Sequence, residues 1–102
     1  MDTKEIQKKQ DEYDKKYWQH NSPESEKIRH ITLHIGKLLG KLSTYCEKIE
    51  HGEEQSKIQI KEEIIPDLIF YSAQLSNLLN IEDMGKSYLK RLENNINKFQ
   101  NR

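Results

Sequence analysis

The sequence predicts an all-α protein: a four-helix bundle in which an antiparallel hairpin of two long helices is flanked by an N-terminal and a C-terminal helix. Three features of the chain point there. Only four Gly and two Pro interrupt 102 residues, too few turn formers for a set of short strands. Val is absent, so Ile supplies the β-branched apolar side chains, and it recurs at helical rather than alternating spacing. Apolar positions three and four apart fill four segments, separated by Ser-Pro, His-Gly and Asn-rich breaks.

The first helix is expected from Thr3 to about His20. Its apolar residues are sparse (Ile6, Tyr13, Tyr17, Trp18), so residues 1–21 should pack loosely, anchored at the Tyr17/Trp18 end, with 22–100 as the core of one domain. Ser22 then offers an N-cap, Pro23 suits the first helical position, and Glu24 and Glu26 suit the positive helix start. The second helix runs to about Glu50. Ile28, Ile31, Ile35, Leu38, Leu42, Tyr45 and Ile49 form an unbroken heptad seam. Leu39 and Cys46 widen it, which places Cys46 on the apolar side as a packing residue. Gly36 and Gly40 each weaken the helix interior by ~1 kcal/mol, which suggests close approach of a backbone or ligand. His51-Gly52 ends it.

The third helix is expected from about Glu54 to Leu79, with a kink or a new segment after Ile65 because Pro66 lies inside. Asn80 ends it. The fourth runs from about Glu82 to Gln100 with Met84, Tyr88, Leu89, Leu92, Ile96 and Phe99. The short connection makes the second and third helices an antiparallel pair.

Composition bounds the function. Ile, Leu and Phe number 12, 10 and 2 with a net charge of zero, enough to fold but with a thin core. Self-association, as a dimer or tetramer, is the expected remedy. Balanced charge argues against a strongly basic nucleic-acid binder. No stretch reaches the ~20 apolar residues of a membrane helix, and the N-terminus lacks a signal-peptide core. A single Cys excludes an internal disulfide and any CxxC zinc site. The expected location is the cytoplasm.

Several groups could carry chemistry. His30 and His34 share a helical face at zinc-ligand spacing, but no HExxH pattern surrounds them; with Trp18 they also suit a pocket lining. Lys37 and Lys41, beside the glycines, suit phosphate or a solvated basic edge. Glu63 and Asp67, four apart, can bind Mg²⁺ with waters. Asp67 precedes the seam residue Leu68 as Lys41 precedes Leu42, so a Lys41–Asp67 ion pair across the hairpin is the competing reading. Arg91, Asn95 and Lys98 share one face that can grip phosphate.

The order of these pieces, from Tyr17 to Phe99, resembles the MazG-like branch of the all-α nucleoside triphosphate pyrophosphatases. Trp18 matches a Trp ending the first helix. Leu38-Leu39-Gly40-Lys41-Leu42 stands where an E-x-G-E-L signature is usual, Ile64-Ile65-Pro66-Asp67 where E-x-x-D is usual, and Arg91 to Phe99 where K-L-x-x-N-x-x-R-Y is usual. The resemblance implies four carboxylates holding Mg²⁺ for hydrolysis to monophosphate and pyrophosphate. Leu38, Lys41 and Ile64 replace three of them; Asp67 matches. Glu63 is one residue out of register, about 100° around the helix. Arg91, Asn95 and Lys98 keep the phosphate-side pattern.

The implied protein keeps the scaffold with a degenerate metal centre and binds a nucleotide, a phosphorylated small molecule or a protein partner. Two alternatives stand beside it. One is an active Mg²⁺-dependent pyrophosphohydrolase using Glu47, Glu50, Glu63 and Asp67 as a rebuilt site. The other is a ligand-free helical interaction module.

Overall fold

The computed structural model describes residues 1–18 and 21–101. The chain is all-α, with α1 Thr3–Tyr17, α2 Glu24–Glu50, α3 Ile65–Leu78 and α4 Met84–Gln100. Among the described residues there is no strand. Among the described residues, no helix is long and apolar enough to cross a membrane.

Each boundary has a local cause. Asp2 caps α1 by accepting from the Glu5 amide at 2.8 Å. Helix α1 ends at Tyr17; the expected end at His20 lies outside the described residues. Pro23, rather than Ser22, takes the cap position of α2. At the end of α2 the Glu53 amide donates to the Lys48 carbonyl and the Gly52 amide to Ile49. Gly52 sits at φ 79°, the left-handed conformation this cap requires. Asn80 does the same after α3 at φ 60°, where the Ile81 amide reaches back to Ser76 at 2.9 Å.

The third helical element differs from expectation. Residues 53–57 are not helical, so Glu54 is not its start. Helical geometry begins at Ile58 and passes through a π-helical turn, Ile60–Ile64, before α3. Pro66 explains the turn. It has no amide hydrogen for the Glu62 carbonyl, and its ring would crowd that carbonyl. Widening the preceding turn relieves both, and the Ile65 amide bonds Ile60 instead.

Helix α1 is not loosely packed. It lies along α3 and touches the start of α4. The sequence concealed this because its buried residues are Gln7 and Gln10. Gln7 Nε2 donates to the Ile81 carbonyl at 2.7 Å and to Asn77 Oδ1 at 3.2 Å. Its Oε1 accepts from the Met84 amide at 2.9 Å. Gln10 and Gln74 both donate to Asp14 Oδ1 at 2.9 Å. Polar side chains thus hold α1, α3 and the base of α4 together.

The apolar core is small: Ile31, Leu38, Ile64 and Ala73. The α2 seam faces α3 through Ile31 and Leu38. Cys46 is exposed, contrary to expectation: the buried edge of α2 is the narrower Ile31/Leu38 stripe. Helix α4 buries no residue. The radius of gyration is 16.6 Å, against about 13 Å for a compact chain of this length. The single chain is an open arrangement.

Candidate functional site

The α2–α3 hairpin brings most of the candidate residues to one interface. Two contacts set its antiparallel register. His34 stacks on Tyr71 (centroids 5.1 Å, planes 16° apart), and the Lys41 ammonium binds the Glu63 carboxylate. Residues of α2 and α3 that face each other therefore differ in level together, and Asp67 falls opposite Leu38, one turn from Lys41. The ion pair expected between Lys41 and Asp67 forms with Glu63 instead. Asp67 remains close enough to act on Lys41 through its charge.

The pair is half exposed, 43% at Lys41 and 38% at Glu63, so water screens it. Gln59 Nε2 also donates to Glu63 at 3.3 Å. The hydrogen bond from Lys41, then that from Gln59, hold the Glu63 carboxyl below its ordinary range. The same bond to Glu63 raises Lys41. Burial, with help from the Asp67 charge, raises the Tyr71 phenol.

Trp18, His30 and His34 do meet. Trp18 stacks over His30 at 5.8 Å and 27°, and His30 meets His34 edge-on at 4.5 Å. Continued by Tyr71 and Phe70, these rings form a run that ties the end of α1 to α2 and α3. They spend their faces on each other, a packing role.

The residues do not fit a magnesium site. Among the described residues, no three His, Cys, Asp or Glu come together to hold a metal, so Glu47, Glu50, Glu63 and Asp67 do not gather into one site; His30/His34 and Glu63/Asp67 are pairs. Glu63 is already occupied by an ammonium. Leu38 and Ile64, at two of the positions where the resemblance implies acids, are 3% and 0% exposed. Apolar packing stands where charge would have to converge.

The phosphate candidates are likewise not gathered into one cradle. Lys37 lines an open groove with His30, Leu33, His34 and Gly36 on the outer side of α2. Arg91, Asn95 and Lys98 are exposed on α4, whose packing partner is α1. Lys41, in contrast, borders an opening of about 200 Å³ with Thr44, Tyr45, Lys48, Ser56 and Gln59. This polar opening, with two ammonium groups and three hydroxyls, suits an oxyanion. The sequence reading missed Lys48, although Lys41, Thr44 and Lys48 stand at i, i+3 and i+7, the spacing of one helical face. Ser56, from the connecting segment, had no such signal.

Comparison with known protein families, with curated proteins and with solved structures finds no match.

Proposed function

We propose that the chain is a catalytically degenerate relative of the MazG-like nucleoside triphosphate pyrophosphatases. In this reading it binds a nucleotide or other phosphorylated ligand without hydrolysing it. The observation that supports it is the content of the four signature positions. Leu38 and Ile64 are core residues, Lys41 is paired with Glu63, and Asp67 alone is acidic. A divalent ion needs converging carboxylates; here an ammonium and two aliphatic chains take their place. The Lys41/Lys48 opening is where a phosphate group would sit, with Lys41 exchanging Glu63 for the ligand.

A nucleotide panel read for thermal shift and for pyrophosphate release, with Mg²⁺ and with chelator, tests both halves. The expected result is saturable stabilisation without Mg²⁺, weakened by Lys48→Ala, and no pyrophosphate release. Mg²⁺-dependent release abolished by Asp67→Ala would overturn degeneracy and restore the hydrolase. No stabilisation by any nucleotide or by inorganic phosphate would overturn ligand binding. The exposed apolar faces of α2 and α4 would then favour the interaction module.

A further inference from the structure

We infer that His30 and His34 form a two-imidazole chelate for a divalent transition ion of the Zn²⁺, Ni²⁺ and Cu²⁺ class, open to solvent along the outer groove of α2. This goes beyond the proposed function and does not depend on it.

Four observations carry it. The first is spacing: the two residues stand four apart on α2, one above the other on a single helical face. The second is ring separation. A transition ion takes an imidazole nitrogen at about 2.0–2.1 Å, in the plane of the ring. Two such ligands at about 90–110° around one ion hold their ring centroids about 4.5–5.2 Å apart. The centroids of His30 and His34 are 4.5 Å apart, so chelation asks for no movement of the α2 backbone. Their planes cross at 61° rather than stacking, so both planes can contain one ion. The third is support. Trp18 stacks on His30, and Tyr71 stacks on His34. Stacking uses the faces of the rings, whereas coordination uses the lone pair in the ring plane. The two aromatic neighbours therefore hold the imidazoles in place as an outer shell does, without competing for the ion. The fourth is access. Both histidines line the same open groove, about 740 Å³ in volume.

The donor set selects the ion. No carboxylate lines this groove, and Lys37 does, so a hard cation held by charge has nothing to bind it. Mg²⁺ and Ca²⁺ prefer oxygen ligands, whereas neutral imidazole suits Zn²⁺, Ni²⁺ and Cu²⁺. Two protein ligands leave the remaining positions to water, which makes this an open, exchangeable site rather than a closed structural one.

The single tryptophan supplies the readout. Its ring lies 5.8 Å from that of His30, so an ion on the chelate stands within about 9 Å of the indole. Bound Cu²⁺ quenches tryptophan fluorescence at that range; Zn²⁺, with a filled d shell, does not. Titration of the untagged chain should give saturable quenching by Cu²⁺ that Zn²⁺ and a chelator reverse. Ni²⁺ should bind more weakly than Cu²⁺, and excess Mg²⁺ should displace neither. His30→Ala and His34→Ala should each weaken Cu²⁺ binding at least ~10-fold with helical circular dichroism unchanged, while His51→Ala should leave it as it is. A wild-type measurement holds should a variant fail to fold. Substoichiometric Cu²⁺ should broaden the imidazole proton resonances of His30 and His34 before those of the other two histidines. Quenching that survives both alanine variants would overturn the inference and place the ion elsewhere. So would displacement by Mg²⁺, which marks carboxylate ligands, or broadening of His20 or His51 ahead of the pair.

Discussion

Replacing Gln7 with Ala should detach α1 from the base of α4. Gln7 is 5% exposed, and its amide makes three bonds: to the Ile81 carbonyl, to Asn77 Oδ1 and from the Met84 amide. Each is worth ~1 kcal/mol net, and an orphaned buried partner costs more. The site is only partly buried, so water can return to some of these groups. The expected loss is ~2–3 kcal/mol, a large share of the stability of a small domain. At 4–8 °C per kcal/mol for a chain of this size, the midpoint should fall by roughly 8–24 °C. Urea titration and thermal unfolding at one fixed protein concentration would measure it. Gln7→Glu separates bonding from packing. It keeps the volume and the acceptor for Met84, but turns a donor into an oxygen facing two acceptors. It should be as damaging as Ala at neutral pH. A loss below about 0.5 kcal/mol for Ala, within the range of an ordinary surface substitution, would refute the network. Full tolerance of Glu would show that only the shape of Gln7 matters.

Further outcomes are expected. Ile64→Ala should cost ~2–5 kcal/mol in urea titration because the side chain is fully buried, while Ile65→Ala, half exposed, should cost under about 1 kcal/mol. The Glu63 carboxyl sits below its ordinary value of 4.5, so its contribution is complete above that pH and fades as pH falls through the lower folded value; Glu63→Gln should flatten this part of the midpoint-against-pH curve, and an unchanged curve would discount the pair. Gly40→Ala should stabilise the chain by ~0.5–1 kcal/mol, because nothing stands within 4 Å of the new methyl. Gly85→Ala should instead destabilise by ~1 kcal/mol, since its Cβ would stand 2.5 Å from Thr3 Oγ1 and break the Thr3–Asp83 bond; thermal unfolding distinguishes the signs.

The helices were legible because their causes are local. The Ile31/Leu38 stripe, His51-Gly52 and Asn80 each act within a few residues, and each appears as a real boundary or buried edge. The role of α1 was not legible, because apolar periodicity is blind to a helix whose buried positions are Gln7 and Gln10. The start of the third helix was missed for a related reason: residues 53–57 carry no strong breaker, and Pro66 acts eight or more residues downstream by forcing a π turn. Within the site, periodicity identified which residues flank the hairpin but not their register. That register is fixed by tertiary contacts, His34 on Tyr71 and Lys41 on Glu63, which is why the expected partner was one turn off. Lys48 stood on a readable helical face; Ser56 came from a connecting segment that has no period to read.

The register also explains how a hairpin of unlike arms closes. Residues 28–49 carry Arg29, Lys37, Lys41 and Lys48 against Glu47, whereas residues 50–67 carry six acids against Lys57 and Lys61. The chain's zero net charge is thus in large part a cancellation between a basic α2 and an acidic stretch of which Glu62, Glu63 and Asp67 stand on the facing arm. Half-exposed pairs of this kind add little stability one at a time. Their larger effect is on which alignment of the arms is preferred, since a slipped register would take Glu63 away from Lys41. Along the interface the arms meet ring on ring at His34–Tyr71 and ammonium on carboxylate at Lys41–Glu63, with Leu38 and Ile64 buried between them. Of the acids on this stretch, Glu63 is taken up by Lys41, and Asp67 lies one turn away, opposite Leu38. A single reversal, Lys41→Glu, would break that pattern at one level, placing two carboxylates together with Asp67 nearby. It is therefore the substitution through which a cation requirement should first appear, as a midpoint raised by Mg²⁺ and lowered by chelator that the wild type does not show.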